Sequence, residues 1–213
     1  MATTQKVLNF FGDSITLSSF NFMTWREFLL QRRPDFQASG TVQDVKIGPQ
    51  SYTAAVRSSW FGQNRSYCSA TNGITVGGMA AVVAARLGSV SPTATHAIVH
   101  LEMNDALGGI PAATSLSDMN TLVTNARAAV PTLKLLVVKC FNQLLSSPAQ
   151  TIINNFNSGL AAALAGHAAY CWTTDNATMA TEDFGDVQTV HLNARGALRM
   201  ALAIDAAPAA FWT

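Results

Sequence analysis

Apolar residues along this chain fall into two alternating arrangements. Short runs that are apolar almost throughout, at Val7–Phe11, Val42–Ile47, Ile74–Val76, Ala97–Leu101, Leu133–Val138 and Tyr170–Thr173, read as strands. Runs without a polar face suit a sheet covered on both sides. Between them lie longer stretches, many rich in alanine and leucine, at Met23–Arg32, Met79–Leu87, Leu116–Val130, Ala149–His167 and Ala194–Ala206, which predict helices. Strand alternating with helix predicts an α/β fold: a three-layer α/β/α sandwich around a mostly parallel sheet. No internal repeat or linker interrupts the pattern, so residues 1–213 are expected to form one domain.

The first run, Val7-Leu8-Asn9-Phe10-Phe11, delivers Gly12-Asp13-Ser14-Ile15-Thr16 onto a tight turn. Gly12 lets the backbone bend sharply and Asp13 can bond the turn's amides, which makes Ser14 a candidate nucleophile. Gly78 and Asn104 also follow predicted strands, and His191 stands just ahead of the last helix. The loops at the carboxyl ends of parallel strands form the ligand crevice of such sheets, so these separate stretches would converge on one rim. A nucleophile, a base and donors aimed at a developing oxyanion are what ester cleavage needs. Each residue taken alone has a duller role: Ser14 as a cap, Gly77-Gly78 as close helix packing, Asn104-Asp105 as an Asx turn, and His191 as a surface histidine.

Taken together the four segments resemble the SGNH (GDSL-type) hydrolases over nearly the whole chain. Gly12-Asp13-Ser14 matches the first block of that family, and the resemblance implies that Ser14 is the nucleophile. Three oxyanion donors are expected: the backbone N–H groups of Ser14 and Gly78, with Gly77 as the alternative to Gly78, and the side-chain amide of Asn104. The third block, Gly-x-Asn-Asp, stands here as Glu102-Met103-Asn104-Asp105, with glutamate in place of glycine. The fifth, Asp-x-x-His, stands as Gln188-Thr189-Val190-His191, so His191 inherits the base while its acid is displaced. Asp186, five residues before His191, is expected to supply that carboxylate through a bulged loop; Gln188, Asp183, Glu182 or a backbone carbonyl are the other candidates. Glu102 is expected to point away from the oxyanion, exposed or paired with an arginine, because its charge would oppose catalysis.

Composition removes other chemistries. A net charge of +1 and 12% charged residues give no basic stripe for nucleic acid. Charged or polar residues interrupt every apolar run before the ~18 residues of a membrane span. There is no Gly-x-Ser-x-Gly elbow, no phosphate loop and no dinucleotide fingerprint, and no cluster has metal spacing; neither cofactor nor metal is expected. The chain reaches its first strand by Val7, which leaves no room for an export leader, so the sequence as given reads as unexported, although a leader already removed would leave the same sequence. Cys68, Cys140 and Cys171, odd in number and irregular in spacing, read as small buried thiols in a reducing compartment.

Aromatics and arginines in residues 48–71, among them Tyr52, Arg57, Trp60, Phe61, Arg65 and Tyr67, suit acylated sugars or aryl esters, or else bury the loop itself. Phe20, Phe22, Met23 and Trp25 are candidates for an acyl pocket. The expected function is a cofactor-independent serine esterase acting on small-molecule or carbohydrate esters through an acyl-enzyme on Ser14. Acyl transfer at the same site and a silent binding module of the same fold are the alternatives.

Overall fold

The computed structural model of the chain describes residues 6–17, 25–40, 42–43, 46–47, 50–51, 67–70, 74–90, 93–141, 147–176, 178–185 and 191–213. Its strands are β1 (Lys6–Gly12), β2 (Phe36–Ser39), β3 (Val42–Gln43), β4 (Lys46–Ile47), β5 (Gln50–Ser51), β6 (Tyr67–Cys68), β7 (His96–His100), β8 (Lys134–Val138) and β9 (Cys171–Thr174). Its helices are α1 (Ser14–Leu17), α2 (Trp25–Arg32), α3 (Val76–Ser89), α4 (Met103–Leu107), α5 (Ala112–Ala129), α6 (Ser147–Ala163), α7 (Ala194–Asp205) and α8 (Ala209–Trp212).

The main sheet runs β2-β1-β7-β8-β9, with every neighbouring pair parallel. Its strands are apolar on both faces because both faces are covered. Leu8, Phe10, Ile98, Leu136 and Val138 pack with α2, α7 and α8, while Phe11, Ala97, Val99, Leu135 and Val137 pack with α3 and α5 and the later turns of α6. Burying side chains of this size is worth roughly 1.5–3 kcal/mol each, which is what holds the three layers together. The α/β/α sandwich read from the sequence is the fold observed. Among the described residues no helix is long and apolar enough to cross a membrane.

Chain order reverses between β1 and β7: β2 lies to one side of β1, and all later strands of the sheet lie to the other. Such a switch point opens a crevice at the carboxyl ends of the two strands. Gly12, which ends β1, is in register with His100, which ends β7, so the turns carrying Ser14 and Asn104 leave the sheet side by side.

Three elements differ from the sequence reading. Ile74–Val76 is not a strand. Thr75 is extended (φ −86°, ψ 170°) and its hydroxyl accepts the Gly78 N–H at 3.1 Å, so the β-branched run is a helix cap and α3 begins at Val76. Val42–Ile47 is not one strand of the main sheet but two short strands in separate two-stranded sheets. The strand that does flank β1 is Phe36–Ser39, whose four residues include two polar ones and carry too short a pattern to stand out.

Candidate active site

Ser14 opens α1, directly after the Gly12-Asp13 turn. Glycine is required at position 12 because a Cβ there would lie 2.7 Å from the His100 carbonyl oxygen and also collide with the Thr16 side chain. Asp13 is fully buried, and its Oδ1 accepts the Ile15 N–H at 2.9 Å, which holds the turn open beneath Ser14. Burial pushes the Asp13 carboxyl up to about 7; the Ile15 hydrogen bond and the nearby His191 pull the other way, and Asp105 adds to the rise. Arg26, also buried, donates from Nε to the Thr16 carbonyl at 2.7 Å and ties the turn to α2.

His191 comes from the opposite end of the chain, yet its Nε2 lies 3.0 Å from Ser14 Oγ. The segment around it is stapled in place. Phe184 and Leu192 form an antiparallel bridge, and the Gly185 N–H donates to the His191 carbonyl at 2.8 Å. Asn193 does three jobs: its N–H bonds the Asp183 carbonyl, its amide nitrogen reaches the Glu182 and Phe184 carbonyls, and its Oδ1 caps α7 through the N–H groups of Arg195 and Gly196. Gly196 is needed for this fit, since a Cβ there would strike the Asp183 carbonyl.

The acids near His191 divide clearly. Asp183 is buried, accepts the Ala180 N–H at 2.8 Å, and pairs with Arg195 at 3.0 Å and Arg199 at 3.1 Å. Glu182 pairs with Arg195 at 3.3 Å. Both carboxylates are thus engaged by α7. Asp186 and Gln188 lie outside the described residues.

Asn104 occupies the second position of α4, and its Nδ2 donates to the Ile74 carbonyl at 3.0 Å with Asp13 Oδ2 at 3.4 Å. It therefore bridges the nucleophile turn and the segment leading into α3. Its neighbour Asp105 clamps the same junction: Oδ2 accepts the Val76 N–H at 3.0 Å, and Oδ1 accepts the Ser115 hydroxyl at 3.3 Å. Gly78 does not follow a strand at Ile74–Val76 but sits in the first turn of α3, where its N–H donates to Thr75 Oγ1. At Gly77 a Cβ would lie 2.6 Å from Asp118 Oδ2, so this glycine permits the close approach of α3 and α5.

Glu102 corrects an expectation. It is not exposed but fully buried, and among the described residues it pairs with no arginine and its carboxyl oxygens have no hydrogen-bond partner. Trp25 is a second correction. It packs edge-on against Phe10, centroids 5.4 Å apart, and belongs to the core below the site rather than to an acyl pocket. Phe20, Phe22, Met23 and residues 52–66, with the aromatics among them, lie outside the described residues. Cys140 and Cys171 are buried free thiols, and burial holds the Cys140 thiol well above its ordinary range, so it stays protonated and a poor nucleophile. His100 is buried and stacked on Phe141, and burial lowers it to about 4, so it is neutral at neutral pH.

The sequence reading overlooked Arg26, the Asp105–Ser115 clamp and the Asn193 staple. Only the last left a local signal, an asparagine immediately before a helix.

No family model matches the chain, and no curated protein matches it. Solved structures do. A carbohydrate esterase family 3 structure from Talaromyces cellulolyticus superposes with a TM-score of 0.73 at 17% identity, over 94% of each chain. A mutant acetyl esterase with acetate ion gives 0.75 at 16% identity, again over 94% of each. A Desulfitobacterium hafniense protein assigned to the G-D-S-L lipolytic family gives 0.63 at 12% identity, over 95% of this chain and 98% of the other. The chain therefore has the fold of the SGNH hydrolases.

Proposed function

We propose that the protein is a cofactor-independent serine hydrolase of carboxylic esters, with Ser14 as nucleophile and His191 as base. The observation that carries this reading is the 3.0 Å separation of His191 Nε2 and Ser14 Oγ at the switch point of the sheet. His191 removes the Ser14 proton as Oγ attacks the ester carbonyl, then gives that proton to the departing alcohol oxygen. Water attacks the resulting acyl-enzyme, loses its proton to His191, and releases the acid as Ser14 regains its hydrogen.

The tetrahedral oxyanion forms beside the Ser14 N–H and the Asn104 amide, whose 3.4 Å approach to Asp13 is long enough to give way to a better acceptor. Gly78 supplies a third donor once Thr75 Oγ1 turns away from its N–H; Gly77, one residue earlier, is the alternative. Asp186 is the carboxylate proposed to orient His191, because Asp183 and Glu182 are engaged by Arg195 and Arg199. Acetylated carbohydrates are the favoured substrate class, a choice supported by the likeness to carbohydrate and acetyl esterases.

Hydrolysis of p-nitrophenyl acetate and acetylated xylan by the wild type, Ser14→Ala and His191→Ala tests the reading. Wild-type turnover lost in both variants is expected; a folded Ser14→Ala protein with more than a few per cent of wild-type rate contradicts it. For the orienting acid, Asp186→Asn should lower kcat/KM by roughly tenfold or more while Gln188→Ala changes it little. The reverse outcome moves that role away from Asp186.

A further inference from the structure

Glu102 is poorly explained by packing alone. It leaves β7 at φ 107°, ψ −23°, a left-handed conformation that a residue with a side chain adopts only at a cost. Its carboxyl is enclosed, with no hydrogen-bond partner among the described residues. Three residues on, at the same end of α4, Asp105 is buried too, but its oxygens are served by the Val76 N–H and the Ser115 hydroxyl. The Ser115 hydroxyl acts on both acids but is bonded to Asp105, so among the described residues one carboxylate is well served and the other is not. A carboxyl buried with so few donors favours its protonated form.

We propose that Glu102 and Asp105 form a pair holding one proton, and that loss of this proton sets the alkaline limit of turnover at Ser14. The inference rests on the esterase reading. Asp105 pins the start of α3 through Val76, and its neighbour Asn104 reaches back to Ile74 in the same segment, so the pair underlies the oxyanion side of the site. A second negative charge would repel Asp105, strain that clamp and oppose the oxyanion itself.

Most described groups around the pair are acidic or neutral. Asp118 acts on Asp105 from α5; Asp105 in turn acts on Asp13 in the nucleophile turn; and Cys140, after β8, lies within reach of Asp13, Glu102 and Asp105. His100, two residues before Glu102, is kept neutral by burial. His191 acts on Asp13. Burial, and then the Asp105 charge, push Glu102 up to about 8, with Ser115 opposing. Because the folded value lies above the ordinary 4.5, the stability tied to this proton is complete below about 4.5 and is lost as pH rises through about 8.

The test follows p-nitrophenyl acetate hydrolysis, corrected for buffer hydrolysis, and Tm from about pH 5.5 to about pH 9.5 for the wild type, Glu102→Gln and Glu102→Gly. Glutamine keeps the shape, and glycine accepts the backbone, so at least one neutral variant should fold. The ratio of kcat/KM at high pH to that at neutral pH is expected to rise roughly fivefold or more in both variants, with a shallower fall of Tm across the range. Variants that keep the wild-type ratio, or the wild-type Tm slope, overturn this inference while leaving the esterase reading standing. A wild type without turnover at any pH overturns both.

Discussion

Two turns leave the sheet side by side, one from β1 and one from β7, and they solve the same problem in opposite ways. The β1 turn follows local rules. It places glycine where the His100 carbonyl crowds the backbone, then an aspartate that accepts the Ile15 N–H. The β7 turn breaks them, with a glutamate at φ 107° and its carboxyl enclosed without a hydrogen-bond partner among the described residues. The first positions a nucleophile at little backbone cost; the second accepts strain and a buried acid close to where charge would develop. Departures of this kind concentrate at functional sites, where other contacts over-determine the conformation.

The largest effect expected on this comparison comes from the nucleophile itself. Ser14→Ala should lower kcat by about a thousandfold or more with Tm unchanged, since the serine is only half-buried and its hydroxyl holds nothing in the core. The double variant with His191→Ala should be little worse than either single one, because the pair acts as a unit. Steady-state kinetics with circular dichroism decide both points.

Next comes Asn104→Ala on the β7 side, expected to lower kcat by roughly a hundredfold with a smaller change in KM. A change confined to KM would make Asn104 a contact to bound substrate instead. Gly12→Ala and Glu102→Gly then exchange the two solutions and should move stability in opposite directions. The first forces a methyl group against the His100 carbonyl and should destabilise by about 2 kcal/mol. The second relieves a left-handed residue and removes a buried acid, and should stabilise by about 1 kcal/mol after the entropy of glycine is set against it. Denaturant unfolding at pH 8 measures both, and equal signs would dissolve the contrast.

Much of this was legible in the sequence for a physical reason. Apolar runs buried on both faces announce a covered parallel sheet, and a Gly-Asp-Ser turn after such a run carries its own local logic. His191 was legible by its place before a helix, although the Asn193 staple that fixes it draws on carbonyls up to 11 residues away. What could not be read depends on long-range geometry. Asp105 meets Val76 across 29 residues, and Thr75 suits strand or cap equally by its type, the Gly78 N–H on its hydroxyl being what makes it a cap. Trp25 faces the core because Phe10 lies beneath it, a partner that spacing alone does not reveal. Glu102 runs against its sequence expectation because a glutamate is ordinarily exposed or paired, and only the packed turn shows it enclosed.

The central claim is that Ser14, activated by His191, is a nucleophile toward ester carbonyls. Intact-mass spectrometry after incubation with a fluorophosphonate tests it most directly, because the reagent requires an activated serine and no knowledge of the natural substrate. One adduct per chain is predicted, mapping to the peptide that carries Ser14, absent from Ser14→Ala and formed far more slowly in His191→Ala. A folded wild-type protein that gains no adduct, or gains it at another residue, would contradict the account.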